Sequence, residues 1–370
     1  MGVRQGALEG MVTMAGYWAG RSVFITGHTG FKGSWLSLWL NKVGAKVHGY
    51  ALDPNTDPSL FRIAQVGSSL ASDTRADLAD FERLALSIAR AQPEVIFHLA
   101  AQPLVRESYR NPLETFATNI MGTANLLEAS RGVESIRAIV VVTTDKVYGN
   151  DKSENPHREG DALGGRDPYS ASKAAAELVV SSYRASFFAT HNSPRIATAR
   201  AGNVIGGGDW AVDRLVPDCL RAFAERKPVR LRYPTAIRPW QHVLEPLSGY
   251  MCLAEHLANS EGSRYADAWN FGPDLVDDAS VGDVAQAMAD MWGMNASVEL
   301  CSSEVNPHET ATLSLDSSRA QKLLGWRPRW PLTRALKETV AWQRHWIEGN
   351  DMRSISESQI ESYLTGQPDE

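Results

Sequence analysis

The chain has 370 residues, 43% hydrophobic and 22% charged, with a formal net charge of −6. That length suits one large or two modest domains, and the composition supports a sizeable core rather than a disordered chain. The acidic balance argues against broad nucleic-acid affinity, while a phosphorylated small molecule needs only local positive charge.

No apolar run reaches the ~20 residues that a bilayer-spanning helix needs, so no membrane partner is expected. The N-terminus lacks the basic-then-apolar pattern of a secretory signal. Cys219, Cys252 and Cys301 are far apart and in no metal-ligand spacing. They read as core thiols in a reducing compartment, which implies a cytoplasmic protein with no metal site. Residues 1–16 read as a tail ahead of the first domain, with Met1, Met11 or Met14 as its start.

The first predicted strand is Arg21 to Gly27 (RSVFITG), followed by a glycine-punctuated loop, a helix over Ser34 to Val43 and a strand over Ala45 to Tyr50. This is a βαβ unit. The alternation continues with a helix over Phe81 to Ala91, a strand over Glu94 to Leu99, a helix over Leu113 to Ser130 and a strand over Ile136 to Thr143. A helix over Pro168 to Phe188 and a strand over Ile196 to Ala201 complete the series. Strands that are apolar throughout, separated by helices, imply an α/β fold with a doubly wound parallel sheet. After Gly202 the segments shorten, with prolines at 217, 228, 234, 239 and 246, and helices are expected over Ala279 to Met291 and Leu315 to Leu324. We therefore expect a dinucleotide-binding domain over 17–204 and a smaller mixed α/β substrate domain over 205–360, with some later segments returning to the first.

The loop Thr26 to Gly33 has the spacing G-x-x-G-x-x-G. Gly27 permits the sharp turn, Gly30 a close backbone approach to a pyrophosphate, and Gly33 tight packing of helix on strand. The helix N-terminus then offers free N–H groups to the phosphates. Thr29, Phe31 and Lys32 belong to this loop. Asp53 lies where a carboxylate binds the adenosine ribose hydroxyls and repels a 2′-phosphate, favouring NAD over NADP; otherwise it is a loop aspartate before Pro54. Asp77-Leu78 either holds the adenine edge or caps the helix that follows.

Tyr169 and Lys173 are spaced i, i+4, so a helix puts both on one face. A phenol titrates near ~10 and is a poor base at neutral pH. A nearby ammonium lowers that value, and the pair can then take a proton from a sugar hydroxyl as its carbon is oxidised. Thr144, Asp145 and Lys146 end the strand Ile136 to Thr143, where ligands of open α/β sheets sit. Thr144 can bond the same hydroxyl as Tyr169. Asp145-Lys146 is surplus for simple oxidation and suits elimination of water; the bland alternative is a turn with solvated charges.

These motifs, with Phe97-His98-Leu99-Ala100-Ala101-Gln102, Thr118-Asn119 and Arg200-Ala201-Gly202-Asn203-Val204, resemble the Rossmann-type extended short-chain dehydrogenase/reductases that act on nucleotide sugars. Gly27 to Leu40, Thr144-Asp145-Lys146, Gly202 to Asp218 and Ile237 to Tyr250 are similar to the CDP-glucose 4,6-dehydratases in particular. The resemblance implies NAD as a recycled cofactor and a CDP-hexose as substrate. It implies C4 oxidation, loss of water across C5/C6 and reduction at C6. Tyr169 would be the C4 base, Lys173 would lower its pKa and hold the nicotinamide ribose, Thr144 would assist, and Asp145 would protonate the departing hydroxyl. Lys146 stands where dTDP-sugar relatives carry a glutamate, and is either the C5 base or a fixed charge that stabilises the enolate. Leu99, Ala100, Ala101 and Asn119 fall at cofactor positions, and Gln102, Asn203, Arg214, Arg238 and His242 at substrate positions, His242 being otherwise a satisfied core histidine. Trp210 and Trp240 pack either on the substrate or in the core. The helices Leu113 to Ser130 and Pro168 to Phe188 match those of a four-helix dimer interface, implying a homodimer or a dimer of dimers. A 4-epimerase, or a dehydratase of a dTDP- or GDP-hexose, is the competing enzyme reading; a non-catalytic NAD-binding regulator would need neither Tyr169 nor Lys173.

Overall fold

The computed structural model describes residues 16–149, 155–190, 193–231, 233–274, 277–293, 296–300 and 313–366. Cys301 and the stretch 1–15 lie outside them.

Thirteen strands occur among the described residues, and seven form the central sheet. These are β1 (Ser22–Thr26), β2 (Lys46–Ala51), β3 (Ser72–Arg75), β4 (Val95–His98), β5 (Ala138–Val142), β6 (Arg195–Ala201) and, after four short strands, β11 (Ala268–Phe271). The short strands are β7 (Val204–Ile205), β8 (Val229–Leu231), β9 (Ile237–Arg238) and β10 (Gln241–His242). The order is β11-β6-β5-β4-β1-β2-β3, every neighbouring pair parallel. The order reverses between β1 and β4, which opens a crevice above their carboxyl ends.

Both faces of the sheet are buried, so its strands lack polar alternation. Val23, Ile25, Val95, Phe97, Val140 and Val142 pack on one side with Trp35, Trp39 and Trp269. Phe24, Ile96, Ile139, Val141 and Ile196 pack on the other with Leu126 and Val180. A separate core gathers Val216, Leu220, Phe223, Leu231, Trp240, Met288, Trp292 and Leu336.

The boundaries differ from expectation in instructive places. The helices Leu215–Ala224 and Leu244–Ala258 start just before Pro217 and Pro246, which act as helix-compatible first-turn residues rather than breakers. The helix expected over Leu315 to Leu324 spans only Ser318–Leu323, because Leu315 bridges to His157 and Asp316 caps Ser318 N at 2.8 Å. Ala279–Ser280 is a strand paired with β9, and Ser280 caps the helix Val281–Trp292 through a reciprocal box with Asp283. The helix Leu244–Ala258, β11 and the helix Met352–Thr365 all join the first core. Tyr363 packs edge-on against Trp39 at 5.5 Å, tying the C-terminal helix to Phe31–Lys42.

Candidate active site

β1 ends at Thr26, and the chain turns at Gly27 with φ +77°. A Cβ there would lie 2.6 Å from the Ala100 nitrogen, and one on Gly33 would lie 2.1 Å from the Gly27 oxygen. Only glycine allows this close crossing of the β4 exit and this seating of the helix Phe31–Lys42. Gly30 caps that helix without a side chain, and its first turn carries no acidic residue. Its free N–H groups and partial positive charge therefore border the crevice. The cradle fits a dinucleotide pyrophosphate.

A cavity of about 730 Å³ follows the carboxyl ends of the strands. Gly27, Thr29, Gly30, Phe31, Lys32 and Gly33 line its floor. Asp53, Asp77, Leu78, Leu99, Ala100 and Ala101 line the far end. Asp53 is largely exposed, with its carboxylate 3.5 Å from the Arg75 guanidinium. Asp77 reaches the cavity wall, but its Oδ1 accepts the Ala79 N–H at 2.8 Å and so also shapes the turn before the helix Phe81–Ala91. Thr29 Oγ1 donates to Leu52 O at 2.9 Å, pinning the loop to the end of β2.

Thr144, Asp145, Lys146, Tyr169 and Lys173 line the centre of the cavity. Asp145 to Val147 make one tight turn beyond β5, capped by Thr144. Thr144 Oγ1 donates to Asp145 Oδ1 at 2.9 Å and shares a hydrogen bond with the Tyr169 phenol. Asp145 is 2% exposed and its Oδ2 has no hydrogen-bond partner, leaving one buried carboxylate oxygen for a ligand hydroxyl. Tyr169 and Lys173 sit in the first turns of the helix Pro168–Ser186, which Asp167 caps at Ser170 N, 2.9 Å.

Burial sets the electrostatics around Tyr169. Burial pushes the Tyr169 phenol up to about 12; the Thr144 hydrogen bond pulls it down, Asp145 pushes it further up, and the Arg214 guanidinium opposes. The Lys173 ammonium donates to Val142 O at 3.0 Å. Burial pushes Lys173 down to about 8, with Glu177 acting in the opposite direction. In the protein alone, desolvation of the phenol outweighs the charges around it. Lys32, expected at the phosphates, turns toward this centre as well. Burial lowers it to about 7, the Arg214 charge adds to that, and Asp145 opposes.

Asn203, Arg214 and Arg238 line the remaining wall with Trp210 and Trp240. Arg214 is held by Asp209 at 2.9 Å. Trp210 packs on Trp346 at 5.2 Å, while the Trp240 indole donates to Ala279 O at 3.0 Å. Three expected contacts are not on the cavity wall. His242 is fully buried, its ring between Trp330 at 4.8 Å and Trp35 at 6.1 Å, and burial lowers it to about 3. Gln102 turns its amide into its own loop, donating to Thr115 Oγ1 at 2.8 Å and accepting from Leu104 N. Asn119 is buried in a π-turn over Ala117–Met121 and grips Gln102 N at 2.9 Å and Ser172 Oγ at 2.8 Å. The last two are loop fasteners beneath the site rather than ligand contacts.

The structure also brings in residues that the motifs did not flag. Arg106 reaches Asp213 across the cavity at 3.2 Å. Glu177, one turn beyond Lys173, is buried with Arg200 at 2.9 Å. The signal for Glu177 was its spacing: Tyr169, Lys173 and Glu177 form an i, i+4, i+8 series on one helix face.

The family profile described as GDP-mannose 4,6 dehydratase matches residues 24–339. The chain is 50% identical over 353 residues to a CDP-glucose 4,6-dehydratase of Salmonella typhimurium, covering 94% of this chain and 98% of that protein. Among solved structures it is similar to a UDP-glucose 4-epimerase of Stenotrophomonas maltophila with bound NAD and formylated UDP-arabinopyranose. That likeness has a TM-score of 0.75 and 25% identity, over 89% of this chain and 99% of that one. A dTDP-glucose 4,6-dehydratase of Streptomyces venezuelae, with NAD and TYD bound, shares the fold at a TM-score of 0.74 and 22% identity, over 90% and 99% of the two chains. The Rossmann-type sheet, the glycine cradle and these matches together make the chain a member of the GDP-mannose 4,6-dehydratase family of extended short-chain dehydrogenase/reductases.

Proposed function

We propose that the chain is a hydro-lyase that converts CDP-glucose to CDP-4-dehydro-6-deoxyglucose with NAD as a recycled cofactor. The observation that carries this reading is the meeting of Tyr169 with the Asp145-Lys146 turn in one cavity beside the glycine cradle. The Salmonella typhimurium relative supplies the choice of CDP-glucose.

The glycine loop and the helix N-terminus would hold the pyrophosphate of NAD, with Asp53 at the ribose and Leu78 at the adenine. When bound, NAD would supply the two-electron redox chemistry that oxidation at C4 and reduction at C6 need. Tyr169 takes the proton of the C4 hydroxyl, with Thr144 bonded to the phenol. A phenol held near 12 is protonated at neutral pH, so it becomes an effective base only when positive charge is added beside it. Lys173, whose ammonium donates to Val142 O at 3.0 Å, would hold the nicotinamide ribose, and the positive charge of bound NAD beside it would lower the phenol. The C4 ketone then acidifies C5–H. In this reading the free-amine form of Lys146 takes the C5 proton, the acid form of Asp145 gives a proton to the leaving C6 hydroxyl through its unpartnered Oδ2, water departs, and the proton gained by Lys146 and lost by Asp145 is exchanged before the next turnover. Arg214, Arg238 and Asn203 form the polar wall for the substrate pyrophosphate.

No helix among the described residues is long and apolar enough to cross a membrane, and a cytoplasmic location is part of this proposal. So is a homodimer. Leu113, Met121 and Leu178 are 83%, 58% and 61% exposed on the two helices flanking one side of the sheet, an apolar surface suited to a second copy.

Incubation of the pure protein with CDP-glucose tests the reading. We expect the alkali-induced absorbance of a 4-keto-6-deoxy product; folded, NAD-loaded protein that forms none would overturn it.

A further inference from the structure

The acid/base turn is gripped at both ends by one buried network. At its start, the Thr143 hydroxyl donates to Glu177 Oε1 at 2.5 Å, and the neighbouring Val142 carbonyl accepts from Lys173. Successive turns of the helix Pro168–Ser186 thus hold two adjacent residues of the strand exit. At its end, the Tyr148 phenol accepts from Arg200 Nη1 at 3.0 Å and donates to Asn270 Oδ1 at 2.5 Å. The two ends are joined: Arg200 Nε and Nη2 donate to the two oxygens of Glu177 at 3.0 and 2.9 Å. Thr198 Oγ1 completes the carboxylate shell at 2.7 Å. Glu177, Arg200 and Tyr148 are 4%, 3% and 2% exposed.

A buried ion pair is weak evidence for stability, because desolvation offsets its attraction. Its geometric effect is more specific. Tyr148 also stacks on His157 at 4.7 Å, while Asn270 Nδ2 donates to His157 O at 2.9 Å. The turn is therefore referenced to β5, β6, β11 and the segment around His157 at once.

We propose that Tyr148 and Glu177, joined through Arg200, are positioning residues that hold both ends of the 144–147 turn and so set where Asp145 and Lys146 act. This rests on the dehydratase reading. Neither residue is assigned contact with the sugar. Loss of the clamp should harm water elimination, which draws both Asp145 and Lys146 from the turn, more than C4 oxidation, which draws only Thr144 from it and whose base, Tyr169, stands on a separate helix.

Tyr148→Phe keeps the ring, its stack and the Glu177–Arg200 pair while removing one hydroxyl; Thr143→Val loosens the other end. For each we expect turnover of CDP-glucose to fall by about 10- to 100-fold, the range set by a small misplacement of reacting groups, with KM unchanged. Reduced nicotinamide should accumulate during single turnovers. Oxidation of CDP-6-deoxyglucose, which has a C4 hydroxyl but no C6 hydroxyl to lose, should fall far less than turnover of CDP-glucose does. A merely structural role would slow both substrates alike, and that result, or wild-type turnover of CDP-glucose, would overturn the proposal. If one variant fails to fold, the other decides. If the wild-type protein itself makes no 4-keto-6-deoxy product, the dehydratase reading falls and takes this one with it; if it does and both folded variants match it, only the clamp falls.

Discussion

In the proposed mechanism Tyr169 and Asp145 divide the work between two kinds of proton transfer, and single-atom substitutions separate them. Tyr169→Phe should abolish both oxidation and overall turnover, by at least about 100-fold, the usual contribution of a positioned base. Because burial holds the phenol near 12, wild-type turnover should rise as pH rises through the neutral range, as more of the base form becomes available. Asp145→Asn should still oxidise C4, visible as reduced nicotinamide, while water loss slows by about 100-fold or more. An unchanged overall rate would remove Asp145 from the mechanism. Gly33→Ala forces a Cβ to within 2.1 Å of a backbone oxygen, so it should weaken NAD binding in a titration and lower the melting temperature together.

At the scale of elements, the βαβ half was legible because its strands are continuous apolar runs and its helices carry plain punctuation. The helix Phe81–Ala91 matches its predicted limits, and the strand exits carrying Thr144 and the glycine loop lie where the pattern put them. The edge strand β3 was not legible: Ser72-Asp73-Thr74-Arg75 has no apolar residue, and only pairing with β2 makes it a strand. The second half was less legible because prolines punctuate its short segments, yet Pro217 and Pro246 sit in first turns of helices that need no N–H donor. The core alternative for His242 depends on aromatics far away in sequence, Trp35 and Trp330, which no local spacing reveals.

The helix Leu244–Ala258 carries a buried charge that tests this packing. Glu245 accepts from Trp330 N at 2.7 Å and Tyr363 Oη at 2.7 Å, yet burial pushes it up to about 7. A carboxyl raised on folding binds more protons in the folded chain, so its contribution to stability is full below the unfolded value and is lost as pH rises toward 7. The melting-temperature difference between wild type and Glu245→Gln should therefore decline across that window. A pH-independent difference would mean that Glu245 is not buried as described.

At the scale of the molecule, a sheet buried on both faces supplies the cofactor edge, and a second core closes the cavity from the other side. The proposed homodimer uses the exposed leucines of the two flanking helices. Leu113→Glu with Leu178→Glu should convert a dimer to a monomer in light scattering, and wild-type protein that is already monomeric would remove that part of the proposal.

In the proposed reaction one cavity moves electrons from C4 of the sugar to C6 while the cofactor ends unchanged. CDP-glucose deuterated at C4 reports on that transfer. We expect a 4-keto-6-deoxy product with deuterium at C6 and no net reduced nicotinamide. Deuterium retained at C4 in an epimerised sugar, or carried off in released reduced cofactor, would contradict it.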